Sequence, residues 1–347
     1  MIHCSAPNTA DLTKRTYNRP HTMFLDIIFL IAGLVLILAG ANYMTDGSAA
    51  LAKRFGMSDF LIGLTIVAMM TSAPELVVSV TSALNASSEM AIGNIVGSNI
   101  FNILVIIGIT ALIRPIAVTR GVLINEIPLV ILSSVALLVM GCAPYLDGGP
   151  MVLTRVDGII LLLFFIVFMR HTFASAKSAP SNDPVASSAS GFKPTPLWKA
   201  ILITLGGLAG LVLGGQWFVE GASGLARAIG WSEGLIGLTI LAAGTSLPEL
   251  ATSIVSATKG FSGIALGNVI GSNIFNIFFV LGCTATVTPL SFGGIGIPDL
   301  SVLLLASILF WVFGWFYRRR TITRPEGAIL VILYIAYMTY LYLNLPA

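Results

Sequence analysis

A polar motif inside an apolar run occurs twice in this chain, and it constrains the fold more than any other feature. Residues 63–79 read GLTIVAMMTSAPELVVS and residues 237–253 read GLTILAAGTSLPELATS. At an offset of 174, residues 61–108 and 235–282 are identical at 27 of 48 positions, and the matches include Pro, Glu, Asn, Ser and Gly. Shared hydrophobicity does not keep such polar residues in register. The chain therefore contains an internal duplication.

Both copies lie in a chain that is too poor in charge for a water-soluble domain. Hydrophobic residues make up 56% of the 347 residues and charged residues 10%, whereas a soluble domain has about 25% charged residues. A membrane span needs about 20 mostly apolar residues, and ten such runs are predicted. They are residues 24–44, 58–84, 91–113, 123–142, 155–170, 198–219, 232–258, 264–288, 296–317 and 326–344. An all-α membrane protein is therefore predicted, in contact with the lipid bilayer and without a nucleic-acid partner.

A polar segment divides the ten spans into five and five. Residues 171–197 are rich in Ser, Ala and Pro and are predicted to form a cytoplasmic linker. An N-terminal tail (1–22), a first five-helix repeat (23–170) and a second one (198–347) make up the rest. Because each repeat has an odd number of spans, the second copy is inverted in the bilayer, as is typical of secondary transporters.

The basic residues predict an orientation. With both termini outside, 13 of the 18 Lys and Arg residues fall on the cytoplasmic side together with the linker. The positive-inside rule therefore favours a multi-pass protein with its N- and C-termini outside. We expect it in a prokaryotic inner (plasma) membrane.

The first duplicated motif offers three kinds of oxygen on one helix face. Pro74 removes a backbone donor and frees carbonyls about one turn before Glu75. Ala68 and Glu75 fall on one face of the helix, and Thr71 or Ser72 lies between them on that face. A column of carbonyl, hydroxyl and carboxylate oxygens suits hard cations such as Ca²⁺, Na⁺ or Mg²⁺, and not copper or zinc.

The second duplicated motif brings small residues and amides into the membrane. It reads GNIVGSNIFN at residues 93–102 and GNVIGSNIFN at residues 267–276. Glycines four residues apart let helix backbones approach closely, and Ser98 and Asn102 face the same side. We therefore expect a four-helix core that contains both glutamates. Four further amides are either ligands or contacts between helices: Asn94, Asn99, Asn268 and Asn273.

A duplicated glutamate in lipid indicates function. A charge at the bilayer centre costs at least about 2.5–3.5 kcal/mol, so it is rarely kept for structure alone. The segments TSAPEL…GSNIFNI and GTSLPEL…GSNIFNI resemble the two alpha-repeats of the cation/calcium antiporter superfamily, in particular its prokaryotic sodium/calcium exchanger branch. The likeness covers nearly all of residues 23–344, and it implies a fold of two inverted five-helix repeats.

The resemblance also implies a site at which Ca²⁺ and Na⁺ share ligands as transported ions, without a resident cofactor. Its central ligands would be Glu75 and Glu249. The other implied ligands are the hydroxyls of Thr71, Ser72, Ser98, Thr245, Ser246 and Ser272, the amides of Asn102 and Asn276, and the carbonyls of Ala68 and Ala242.

Two positions depart from the family pattern. Met70 stands where the second copy has Gly244, so the first helix break is expected to be less pliable. Asn276 stands where potassium-dependent relatives have Asp, so potassium co-transport is not expected. The linker contains a single acidic residue, Asp183, and calcium-sensing regulatory domains are therefore not expected either.

The expected activity is antiport of Ca²⁺ against Na⁺. One Ca²⁺ or several Na⁺ neutralise two carboxylates, whereas an empty, doubly negative site is costly to enclose in a low-dielectric core. The protein should therefore switch sides when loaded, and protons that neutralise the glutamates should inhibit it. The first and sixth spans are Gly-rich, and we expect them to slide past the core while breaking few hydrogen bonds.

Three alternatives stay open to different degrees. A proton/calcium exchanger of the same superfamily would use the same carboxylates, with H⁺ as the counter-ion. A cation channel could line its pore with them. An intramembrane enzyme is disfavoured because His3, His21 and His171 all lie outside the expected core. No obligate protein partner is evident.

Overall fold

The computed structural model describes residues 23–146, 148–178, 196–230, 240, 242–316 and 320–343. The α-helices of the first repeat are α1 (Met23–Phe55), α2 (Asp59–Ile62), α3 (Ala68–Thr71), α4 (Ala73–Leu84), α5 (Ser88–Phe101), α6 (Gly108–Ile113), α7 (Arg120–Ile124), α8 (Glu126–Gly141), α9 (Ala143–Leu146) and α10 (Arg155–Ser178). Those of the second repeat are α11 (Leu197–Ala228), α12 (Ala242–Thr245), α13 (Leu247–Thr258), α14 (Ser262–Ile274), α15 (Gly282–Val287), α16 (Ile297–Phe316) and α17 (Arg324–Leu343). Three π-helical stretches continue the α-helices: Gly63–Val67, Asn102–Ile107 and Phe275–Leu281.

Among the described residues, nine helical runs are long and apolar enough to cross a membrane. The seventh predicted span, residues 232–258, is described in its C-terminal part as α12 and α13, and its beginning lies outside the described residues. The prediction of an all-α membrane protein with two five-helix repeats is confirmed. The protein is an integral, multi-pass membrane protein.

Two helices extend beyond their predicted ends. Helix α1 continues from the predicted end at residue 44 to Phe55 and stops at Gly56, whose φ of +63° suits the left-handed position after a helix. Helix α10 continues to Ser178, into the stretch predicted as linker. No Pro or Gly interrupts residues 171–178, and Pro180 is the first strong helix breaker. The predicted linker, residues 171–197, therefore begins as the last turns of α10. The tail 1–22 and residues 179–195 lie outside the described part.

Helices α1 and α11 form an antiparallel pair in direct backbone contact. A Cβ atom added to Gly40 would lie 2.6 Å from Leu211 N and 2.7 Å from Gly207 O. Because these are backbone atoms, only glycine fits at the contact. Each helix carries three glycines spaced seven residues apart, and the two sets are equivalent at the offset of 174: Gly33, Gly40 and Gly47 on α1, and Gly207, Gly214 and Gly221 on α11.

Helix α1 is also tied to the core of the second repeat. Thr45 Oγ1 lies 3.0 Å from Ser256 Oγ, and Lys259 Nζ lies 2.6 Å from Asp46 Oδ1 and 3.1 Å from Asn42 O. Sliding of the first span past the core would break these three contacts at this end of α1. The partners lie more than 200 residues away in sequence, beyond the reach of local patterns.

The two copies of the second motif lie in the centre of the molecule. The spans Ser88–Ile113 and Ser262–Val287 are the two most buried of the nine. Two short antiparallel ladders join the repeats around them. Strand β1 (Ile116–Ala117) pairs with β4 (Thr321–Ile322), and β2 (Val152–Leu153) pairs with β3 (Leu290–Ser291). Each ladder takes one strand from each repeat, so the two halves form one interlocked unit.

Candidate cation site

In both repeats the backbone leaves helical geometry at the serine of the first motif. Ser72 has φ −83° and ψ 4°, and Ser246 has φ −90° and ψ 5°. The proline and the glutamate of the motif then lie in the first turn of α4 or α13. Proline is tolerated there because its missing N–H would have no helical partner. The open N–H groups of the first turn also favour a negative charge.

The two glutamates are buried, and each lies beside the other repeat. The side chains of Glu75 and Glu249 are 0% and 1% exposed. Ser72 Oγ of the first repeat donates to Glu249 Oε1 of the second at 3.1 Å. Ser246 of the second repeat lies next to Glu75, and Ser272 lies next to Glu249. The two copies of the first motif therefore meet inside the protein.

Close helix packing brings the second motif against the first. A Cβ atom on Gly267 would lie 2.7 Å from Leu64 N, and one on Gly271 would lie 2.6 Å from the Ala68 Cβ atom. The predicted close backbone approach is confirmed for this copy. In the first copy, no described backbone atom outside α5 lies within 4 Å of a Cβ atom added to Gly93 or Gly97. Ser272 follows Gly271 directly and is thereby held at the break in the first repeat.

Many polar atoms in this region have no hydrogen-bond partner among the described residues. Each such buried atom costs about 1–3 kcal/mol unless something satisfies it, and buried polar atoms in proteins are rarely left unsatisfied. Seven of the twelve implied ligand residues carry at least one: Glu75, Glu249, Ser98, Asn102, Ser246, Ser272 and Asn276. Their concentration on four helices calls for a bound species that satisfies oxygen atoms.

The amides that sequence left open have partners in both repeats. Asn268 Oδ1 accepts a hydrogen bond from Thr71 Oγ1 at 3.1 Å, and Asn268 Nδ2 donates to Ser253 Oγ at 3.1 Å. The equivalent bonds join Asn94 to Thr245 at 3.3 Å and to the serine equivalent to Ser253 at 3.2 Å. These two amides connect the repeats and are committed to side-chain partners.

The other two amides orient Asn276. Asn99 Nδ2 donates to Asn273 O at 3.1 Å, and Asn276 Nδ2 donates to Asn99 Oδ1 at 3.0 Å. Asn276 Oδ1 is left without a partner among the described residues. Asn273 Nδ2 donates to Val269 O at 2.7 Å within its own helix. The nitrogen of the Asn276 amide is thus engaged, and its oxygen is the atom without a partner among the described residues.

Of the two implied carbonyl ligands, Ala68 lies in a fully described segment and Ala242 lies at the edge of one. Ala68 is fully buried, and its carbonyl accepts the backbone N–H of Ser72 at 3.0 Å. Ala242 is the first residue of α12, directly after a residue that lies outside the described part. Two residues of the network were missed in the sequence: Ser79 and Ser253. Each follows a glutamate by four residues and recurs at the offset of 174, which is the signal that would have found them.

Two inverted repeats that enclose buried oxygen atoms between them define a class of protein, the secondary transporters of cations. The family model described as sodium/calcium exchanger protein matches residues 25–174 and 199–343. The chain belongs to this family. It is therefore a cation/calcium antiporter and not an enzyme, which confirms the predicted transporter class.

Similarity to individual proteins extends over nearly the whole chain. A putative antiporter, CaxA of Alkalimonas amylolytica, is 41% identical, with 92% of this chain and 99% of the relative covered. The sodium/calcium exchanger MaX1 of Methanosarcina acetivorans is 31% identical, with 92% and 99% covered. A solved structure of the sodium-calcium exchanger NCX_Mj, soaked with Na⁺ and Ca²⁺, is 30% identical, with 93% and 99% covered and a TM-score of 0.77.

Proposed function

We propose that the protein exchanges Ca²⁺ for Na⁺ by alternating access at one site, with Glu75 and Glu249 as central ligands. The observation that carries this proposal is the group of buried polar atoms on four helices that have no hydrogen-bond partner within the described part of the chain. Ca²⁺ takes about 6–8 oxygen ligands, and the candidate residues supply carboxylate, hydroxyl, amide and carbonyl oxygens. The remaining implied ligands, such as Thr71 and Ala68, adjoin the same group.

Charge explains why such a site exchanges ions rather than leaking them. Glu75 and Glu249 carry a charge of −2 when both are ionised, and one Ca²⁺ or a set of Na⁺ ions offsets it. Returning the empty site through a low-dielectric core would bury both charges without compensation. Movement of one ion across the membrane therefore requires return of the other.

The ligand set favours Na⁺ over H⁺ as the counter-ion. A proton needs only a carboxylate, whereas Na⁺ needs several neutral oxygens around it. The hydroxyls of Ser246 and Ser272 lie next to the two glutamates, and Ser98 Oγ and Asn276 Oδ1 are further buried oxygens without hydrogen-bond partners among the described residues. Relatives named as sodium/calcium exchangers support the same assignment.

The protein is proposed to lie in a prokaryotic inner membrane with both termini outside. The excess of Lys and Arg on the linker side supports this orientation. A 36% identical relative from Escherichia coli is named an inner membrane protein, YrbG.

Transport in reconstituted vesicles tests the proposal. Vesicles loaded with Na⁺ and diluted into Na⁺-free medium are expected to take up ⁴⁵Ca²⁺. A pH gradient across vesicles with equal Na⁺ on both sides is not expected to drive uptake. Glu75→Gln and Glu249→Gln should each abolish the flux. Glu89→Gln, which removes an exposed carboxylate, is the control and should retain it. Flux driven by the pH gradient alone would favour a proton/calcium exchanger, and flux that needs no counter-ion would favour a channel.

A further inference from the structure

The hydroxyl of Thr71 has one proton and several acceptors nearby, among them the Glu249 carboxylate, which lies next to it. Thr71 Oγ1 lies 3.1 Å from Val67 O, 3.3 Å from Ala68 O and 3.1 Å from Asn268 Oδ1. The first two are carbonyls of its own helix, and the third belongs to the other repeat. Because a hydroxyl donates a single hydrogen bond, the choice of acceptor decides which oxygens stay available.

The choice matters because the Ala68 carbonyl is one of the implied ligands. A carbonyl oxygen has two lone pairs, and the Ser72 N–H already occupies one at 3.0 Å. If Thr71 donates to Ala68 O, both lone pairs are used and none remains for a cation. If Thr71 donates to Val67 O or to Asn268, the Ala68 carbonyl keeps one lone pair and the threonine oxygen can still bind a cation. Of these three bonds, only the one to Asn268 takes the proton away from both carbonyls of the threonine's own helix.

Asn268 is held in the orientation that accepts this proton. Its side chain is fully buried. Its Nδ2 atom donates to Ser253 Oγ at 3.1 Å and approaches Glu249 O at 3.4 Å. Reversing the amide would put an acceptor against the Glu249 carbonyl and a donor against the Thr71 hydroxyl. Helix α13, which carries Glu249, therefore fixes Asn268 Oδ1 towards Thr71.

We infer that Asn268 is a positioning residue of the cation site: it takes the Thr71 proton across the repeats and so keeps the Ala68 carbonyl free for the cation. This inference rests on the proposed function, since it assigns a role to the same site. The equivalent residue Asn94 holds Thr245 of the second repeat in the same way, at 3.3 Å.

A double-mutant cycle on Ca²⁺ affinity tests the inference. Affinity is measured by equilibrium ⁴⁵Ca²⁺ binding to the purified full-length protein in detergent. Asn268→Ala should weaken binding about tenfold, the effect of one lost hydrogen bond. Thr71→Val removes the hydroxyl and should weaken binding further. Because Asn268 acts through Thr71, the double variant should bind no more weakly than Thr71→Val alone.

Asn268→Asp separates positioning from general packing. Aspartate keeps the Oδ1 acceptor for Thr71 but loses the amide donor and adds a negative charge. It should bind Ca²⁺ at least several-fold more tightly than Asn268→Ala, and this ratio should be larger with Thr71 present than in the Thr71→Val background, where only the added charge acts. An Asn268→Asp variant as weak as Asn268→Ala would overturn the inference, as would effects that multiply in the double variant. If Asn268→Ala does not give a monodisperse protein, the Ca²⁺ affinity of Asn268→Asp is compared with that of the wild type. A loss of affinity above tenfold contradicts the inference.

A further variant keeps the two proposals apart. If Glu249→Gln leaves Ca²⁺ affinity unchanged, the proposed site itself is wrong. If Glu249→Gln abolishes Ca²⁺ binding while Asn268→Ala leaves affinity unchanged, the site stands and only the positioning role fails.

Discussion

Adding one methyl group to the contact between α1 and α11 should destabilise the protein, whereas adding it one residue earlier should not. A Cβ atom on Gly207 would lie 2.8 Å from both Gly40 O and Met44 Cα. Non-bonded carbon atoms prefer about 3.5–4.0 Å, so the helices must separate by roughly 0.7 Å. Gly206 is exposed, and a Cβ atom added there would meet no described atom outside its own helix within 4 Å.

The expected magnitudes follow from two opposing effects. Overpacking against rigid backbone costs up to about 3 kcal/mol, and replacing Gly by Ala inside a helix gains up to about 1 kcal/mol. Gly207→Ala should therefore lose about 2 kcal/mol of stability, and Gly206→Ala should lose none. Thermal unfolding of the two purified variants in the same detergent, followed by size-exclusion chromatography, measures the difference. If Gly207→Ala melts at or above Gly206→Ala, the backbone contact inferred for α1 and α11 is refuted.

Three further predictions concern transport. Asp46→Asn removes the ion pair with Lys259, which the equivalent positions of the other repeat, Glu220 and Asn85, do not repeat. It should change the ratio of the outward-open to the inward-open state by up to about fivefold, since exposed ion pairs contribute about 0.2–1 kcal/mol. If labelling of cysteines introduced near the site, from either side of the membrane, is the same in this variant as in the wild type, the prediction is contradicted. Replacing external and internal K⁺ by choline should leave sodium-driven Ca²⁺ flux unchanged because Asn276 adds no third carboxylate, and a potassium requirement would show that another group binds K⁺. Acidification should raise the KM for Ca²⁺ while leaving maximal flux nearly constant, because protons compete with cations for the glutamates. Rates of ⁴⁵Ca²⁺ uptake over a series of pH values measure this, and a KM independent of pH would exclude such competition.

Much of the fold could be predicted because it depends on local patterns and on the duplication. The ten apolar runs, the helix breaks before both glutamates and the inverted repeats all follow from residues within one motif or from the offset of 174. The close approach at Gly267 and Gly271 fits their spacing, although the same spacing at Gly93 and Gly97 brings no described backbone atom outside α5 within 4 Å of an added Cβ atom. These features need no knowledge of distant side chains.

Other features depend on partners that are remote in sequence. The bond of Thr45 to Ser256 spans 211 residues, and that of Thr71 to Asn268 spans 197. Packing of the two repeats selects these pairs, so no local pattern indicates them. The end of α10 at Ser178 was missed for a different reason: a polar sequence without Pro or Gly continues a helix beyond the apolar run.

Diffraction from crystals soaked in Sr²⁺, a heavier substitute for Ca²⁺, tests the central claim most directly. One anomalous peak is expected within about 2.3–2.7 Å of carboxylate oxygens from both Glu75 and Glu249. A peak that contacts only one of the two glutamates, or a separate peak at each, would contradict a single site shared by the two repeats.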